Sequence, residues 1–248
     1  MTAVKHILSF GGGLNSGALM VLLLKERQPL DEVVFADTGG EVPETYAFVR
    51  TARAYLKEHG VPFRVLRRPS GRDLYSTAWD GKVFPSAIWR WSTRDFKVNP
   101  IYRYYRTLDV HINQYLAITF DEWERMKDSG VPYVTNLYPM IDKKLVRADC
   151  EALIQEAGLP VPPKSGCFFC PFNNLERWHW LSEKHPRLFQ RAIALEENSK
   201  HFPSQRLTDQ AFRNRATLTL RELSERFKAG ETLPEEIRRS ACGGACMT

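Results

Sequence analysis

The strongest constraint on the fold lies in the first 26 residues, where two apolar runs flank Gly11-Gly12-Gly13. Residues 5–10 (Lys-His-Ile-Leu-Ser-Phe) read as a strand, and the chain from Ser16 to about Glu26 reads as an apolar helix. Glycines at such a junction let backbone N–H groups turn towards one point, which the positive end of the helix also serves. The arrangement is either an anion cradle or a tight turn and nothing more. The segment Ser9-Phe10-Gly11-Gly12-Gly13-Leu14-Asn15-Ser16 lacks the Gly-Lys-Ser/Thr ending of a Walker loop. Ser9 and Ser16 supply hydroxyl donors at its two ends.

Downstream the pattern alternates. Residues 32–36 (Glu-Val-Val-Phe-Ala) form a second expected strand, ending at Asp37-Thr38-Gly39-Gly40. Pro43 and Glu44 open a helix carrying Tyr46, Val49, Ala52 and Tyr55, which Gly60 closes, and residues 63–66 give a third strand. This β-α-β-α-β order predicts an α/β fold, a Rossmann-like parallel sheet with helices on both faces. Ligands on such sheets bind at the carboxyl ends of the strands, where the loops after Phe10 and Ala36 lie. Residues 67–110 read as irregular, residues 114–119 as another strand, and the chain from about 142 as helical. The expected division is a nucleotide-binding α/β domain over residues 1–145 and a helical, cysteine-bearing region over residues 146–248.

The chain has 248 residues and a net charge of +6, which suits a polyanionic partner. No apolar run approaches the roughly 20 residues of a bilayer span, so no membrane partner is expected. The N-terminal residues lack the layout of a signal peptide, and a cytoplasmic location is the resulting expectation. Five cysteines in such a chain point to metal, cluster or thiol chemistry rather than a disulfide framework. Cys167-Phe-Phe-Cys170 has the spacing at which two thiolates bind one metal or cluster. Cys242-Gly-Gly-Ala-Cys246 is a second pair and Cys150 a fifth candidate, so a tetrathiolate site would take four of the five. An iron–sulfur cluster, a structural zinc ion and metal-free redox thiols all fit these residues. The six histidines show no metal-ligand spacing.

Between residues 89 and 106, cations and rings interleave in Trp89-Arg90-Trp91-Ser92-Thr93-Arg94-Asp95-Phe96-Lys97 and Tyr102-Arg103-Tyr104-Tyr105-Arg106. Cations neutralise phosphates and aromatic faces stack on bases. The same layout also describes a helix with its rings in the core and its arginines in water.

The glycine loop resembles the Ser-x-Gly-Gly-x-Asp-Ser signature of the PP-loop ATP pyrophosphatase superfamily, with Asn15 where that family has Asp. The stretch Asp37-Thr38-Gly39-Gly40-Glu41-Val42-Pro43-Glu44-Thr45 resembles the Asp-Thr-Gly-x-x-x-Pro-Glu-Thr stretch of PAPS reductase-like proteins. Thr93 to Ile101, Asp121-Glu122 with Arg125, and Lys164 to Phe172 continue the match in order. The resemblance implies ATP, or PAPS or APS, as the adenine-nucleotide ligand, with Mg2+. Gly11, Gly12 and Gly13, with Ser9, Phe10, Asn15 and Ser16, would hold the pyrophosphate. Asp37, Thr38 and Gly39 would border the nucleotide, and Arg90 and Lys97 would neutralise its remaining charge. Ser9, Ser16, Asp37 and Lys97 are the expected catalytic residues. A [4Fe-4S] cluster is favoured over Zn2+ at Cys150, Cys167, Cys170, Cys242 and Cys246. The implied reaction is ATP-dependent adenylation with pyrophosphate release, coupled to sulfur transfer. Its partners would be a nucleic-acid acceptor and a sulfur donor protein. The alternatives are a sulfonucleotide reductase using a tail cysteine, and a non-catalytic nucleotide sensor or nucleic-acid-binding subunit.

Overall fold

Five parallel strands form one sheet in the order β3-β2-β1-β4-β5. They are β1 (Val4–Phe10), β2 (Glu32–Ala36), β3 (Phe63–Leu66), β4 (His111–Tyr115) and β5 (Val134–Leu137). The computed structural model describes residues 3–85, 90–200 and 218–231. Two units make up the chain. The first comprises residues 1–37, 41–67 and 96–166, and the second residues 38–40, 68–95 and 167–248. The units interleave along the chain.

In the first unit the sheet is buried on both faces, as parallel sheets with crossover helices are. Strand residues alternate between faces. Leu8, Phe10, Val33 and Phe35 join one core with α1 (Leu14–Lys25), α2 (Pro43–Glu58) and the helix Arg147–Glu156. Ile7, Val34, Ala36 and Ile112 join the other, against the helix Asn99–Tyr105 through Ile101 and Tyr105. Gly17 permits the close approach on the first face. A Cβ there would lie 2.7 Å from the Phe48 ring and 2.9 Å from Ile154 Cδ1.

β2 and β3 lie to one side of β1, and β4 and β5 to the other. The chain thus reverses direction across the sheet between β1 and β4, and such a switch point opens a crevice at the carboxyl ends of the strands. The glycine loop leaves β1 at this edge.

Three local expectations are corrected. β4 ends at Tyr115 and not at residue 119, because Ile118 N–H turns back onto Leu116 O at 3.0 Å. β5 was not expected. Among its described residues, the interval 67–110 contains α3 (Leu74–Gly81), a π-helical turn Arg94–Val98, and the helix Asn99–Tyr105. Pro100 has no N–H to return to the preceding turn, which accounts for the irregularity just before it. Phe96, Ile101 and Tyr105 are buried while Arg103 and Arg106 are exposed, so the helix alternative describes this segment.

The second unit is helical, with α3 and the helices Leu175–Lys184, Pro186–Asn198 and Leu220–Lys228. Trp178, Phe189, Leu195, Leu220 and Leu223 form its core. The buried Glu196 carboxylate accepts the Leu220 N–H at 2.7 Å and so caps the last helix. Cys242, Cys246 and Trp89 lie outside the described residues. Among the described residues, no helix is long and apolar enough to cross a membrane.

Candidate functional site

The glycine loop turns from β1 into α1 within three residues. Gly12 has φ +73, a conformation L side chains rarely adopt, and a Cβ there would also lie 2.9 Å from Thr45 Cγ2. Gly13 is the N-cap of α1. Ser16 Oγ accepts the Gly13 N–H at 3.3 Å and donates to Gly13 O at 3.0 Å, tying the last loop residue to the first turn. No acidic residue stands in that turn, and Lys25 stands in the last one. The positive N-terminal end of the helix is therefore not neutralised by its own side chains, an arrangement suited to an anion. Asn15, an uncharged residue, keeps it so. Asn15 Oδ1 is buried and has no hydrogen-bond partner among the described residues. Phe10 packs into the core against Phe48 and Phe63, which leaves only its backbone for a ligand. Ser9 is buried.

Sequence reasoning missed Ser165. A Cβ at Gly13 would collide with its hydroxyl, so Ser165 closes directly over the loop. The neighbouring Gly166 O accepts the Val42 N–H at 3.3 Å. The signal available was its place in Lys164-Ser165-Gly166, two residues before Cys167.

Asp37, at the end of β2, is nearly buried and already engaged at both oxygens. Tyr46 donates to Oδ1 at 2.8 Å, and Arg67 reaches Oδ2 with Nε at 3.0 Å and Nη2 at 2.8 Å. Burial first, then the neighbouring Asp37 carboxylate, pushes the Tyr46 phenol well above its ordinary range, so it remains a donor. A carboxylate so held orients its neighbours. Lys97 pairs with the buried Glu41 at 3.5 Å, within the Asp37 to Thr45 stretch. Arg67 and Tyr46 carry no motif of their own, and only the strand register shows that Arg67 stands level with Asp37.

In the second unit, Thr38 Oγ1 accepts the Gly40 N–H at 3.1 Å and lies 3.6 Å from Cys167 Sγ. Cys170 N–H bonds to Cys167 O at 3.1 Å, closing the turn between the two buried cysteines. Arg90 has φ +45 and accepts the Arg94 N–H at its carbonyl. Cys150 belongs to the first unit. It is fully buried among apolar residues, its thiol bonds to Val146 O at 3.5 Å, and burial pushes it up to about 12. Those are the surroundings of a core cysteine, because a metal ligand must be a thiolate. Among the described residues no group of three or more His, Cys, Asp or Glu assembles a metal site. Cys167 and Cys170 alone do not fit a closed tetrathiolate centre.

The family model of the phosphoadenosine phosphosulfate reductase domain matches residues 5–115. No match is found among curated proteins. Among solved structures, the phosphoadenylyl-sulfate (PAPS) reductase of Candida auris in its phosphate complex is similar at 17% identity and a TM-score of 0.44. That match covers 65% of this chain and 75% of the other. The 6-phospho-beta glucosidase of Thermotoga maritima follows at 12% identity and a TM-score of 0.28, covering 98% and 70%. The matched segment begins in β1, spans the glycine loop and the Asp37 stretch, and ends at Tyr115 where β4 ends. Over that segment the chain is similar to the phosphoadenosine phosphosulfate reductase domain.

Proposed function

We propose that the chain is a PP-loop enzyme that holds the pyrophosphate of ATP at Gly11–Gly13 and transfers adenylate to an acceptor before sulfur delivery. The observation that carries this reading is the loop itself: a glycine at positive φ, a helix N-terminus free of acidic side chains, and Ser16 and Ser165 at its rim. Backbone N–H groups aimed at one point stabilise the charge that develops on a departing pyrophosphate. An acceptor oxygen would attack the α-phosphorus as the bond to the bridging oxygen breaks, and pyrophosphate would leave in the loop. A sulfur nucleophile from a donor protein would then displace AMP from the activated acceptor.

In this reading Asp37 is a positioning residue that fixes Arg67 at the carboxyl edge of the sheet, and Lys97 is a cation near the nucleotide. Cys167 and Cys170 would supply two thiolates of a cysteine centre. The other two would have to come from Cys242 and Cys246, and no step is routed through that centre. A second reading, sulfonucleotide reduction by a tail cysteine, is favoured by the family match alone. Product analysis separates the two. Pyrophosphate released from ATP in the presence of an acceptor supports the first. Sulfite released from PAPS or APS with a thiol reductant, without pyrophosphate, replaces it with the second.

A further inference from the structure

The second unit carries an aromatic array that nothing in the nucleotide reading uses. Phe169 and Phe168 pack edge to face at 4.6 Å beside Cys167, and both contact Tyr75, at 5.6 and 5.5 Å. Tyr75 is stacked in turn with Trp79, one helical turn further along α3, at 6.1 Å and 23°. The array begins fully buried and ends in an indole that is 40% exposed. Arg191 lies over it, with its guanidinium 4.1 Å from the Tyr75 ring centre and 5.1 Å from that of Phe168. Tyr75 donates to Arg191 O at 3.1 Å and Asn198 donates to Trp79 O at 2.8 Å, so the helix Pro186–Asn198 lies along α3.

Two local choices here are unfavourable for a free surface. Arg187 and Arg191 are both exposed and stand four residues apart on one helix face, where like charges repel. Neither forms an ion pair with another described residue. Lys82 and Lys200, also exposed, are joined through their backbones at 2.8 Å just beyond the Trp79 end. The charge is not spread evenly over the chain. The second unit holds eighteen Lys and Arg against thirteen Asp and Glu, which accounts for five of the six excess positive charges.

We propose that this face binds single-stranded nucleic acid, with a base stacked on Trp79 and the phosphate backbone running past Arg187, Arg191, Lys82 and Lys200. An aromatic face flanked by cations is the arrangement that takes unpaired bases without regard to sequence. A duplex offers no free base face to an indole, which selects the single strand. As the acceptor of the reaction, the nucleic acid rests on the adenylation reading above. As a ligand, it is tested independently of it.

The test measures binding of labelled oligouridylate and oligothymidylate of about twelve nucleotides to the full chain by anisotropy at several salt concentrations. ATP affinity is measured on the same samples. The wild type binds both oligonucleotides. Trp79→Ala weakens binding about tenfold, Trp79→Phe keeps most of it, and ATP affinity is the same in all three. Should Trp79→Ala fail to fold, Arg187→Gln changes one exposed side chain and flattens the dependence of log affinity on log salt. Absence of oligonucleotide binding by the wild type, or equal affinity in folded Trp79→Ala, overturns the proposal. So does self-association abolished by Trp79→Ala in a protein that binds no oligonucleotide, which would mark a protein interface. Intact oligonucleotide binding with no ATP binding overturns the nucleotide reading and leaves this one standing.

Discussion

Asp37 and Cys150 show how much a residue's neighbours decide its chemistry. The Asp37 carboxylate is held by a phenol on one side and a guanidinium on the other. Tyr46→Phe removes a hydrogen bond to a charged group and should cost about 1.5–3 kcal/mol, read by denaturant unfolding at neutral pH. The same substitution has a pH signature. Because the folded-state phenol is raised above its ordinary value of 10.0, its contribution is complete below that pH. Above it the unfolded chain ionises first, and stability falls as pH rises. Tyr46→Phe therefore flattens the alkaline decline by up to about 1.4 kcal/mol per pH unit. Cys150 supplies the second case. Its thiol, pushed up to about 12, should resist alkylation at pH 8 in the folded protein and react only on unfolding. Cys150→Ser buries a hydroxyl among apolar side chains and should destabilise by about 1–3 kcal/mol. Metal content of the purified protein should be unchanged.

At the scale of elements, α1 is the part on which the site depends, since it carries the loop at its N-terminus and a close contact at Gly17. Gly17→Val should destabilise by about 1–3 kcal/mol by overpacking against Phe48 and Ile154, lowering the thermal midpoint. The elements legible in the sequence were those with long apolar runs and marked ends. β1 and α1 flank three glycines, and α2 opens at Pro43 and ends by Gly60. β5 is four residues long with two polar positions, so period alone does not separate it from a loop. For the basic, aromatic stretch between residues 89 and 106 composition leaves both readings open, whereas the burial of Ile101 and Tyr105 comes from the face of the sheet they meet. The site divides in the same way. The loop residues share a local motif, while Ser165, Arg67 and Tyr46 reach it only through the folded chain. No spacing rule joins residues 13 and 165.

Across the whole molecule, the sheet unit carries the glycine loop, and the helical unit carries Cys167, Cys170 and the aromatic array. The charge is divided too, being nearly balanced in the sheet unit and basic in the helical one. That division suits a small anionic ligand on the first and a polyanion on the second. The proposed function depends first on the loop being an anion site. Gly12→Val places a branched side chain at a backbone φ of +73 and against Thr45, in the space where an anion would meet the amides. Strain at one loop position leaves the sheet and its two cores in place, so the variant remains folded by circular dichroism. The most direct measurement is ATP titration by calorimetry of wild type and folded Gly12→Val. The wild type should bind, and the variant should lose at least about a hundredfold in affinity, of the order of 3 kcal/mol. Equal affinity in the two proteins, or no ATP binding by the wild type, would contradict the proposed function.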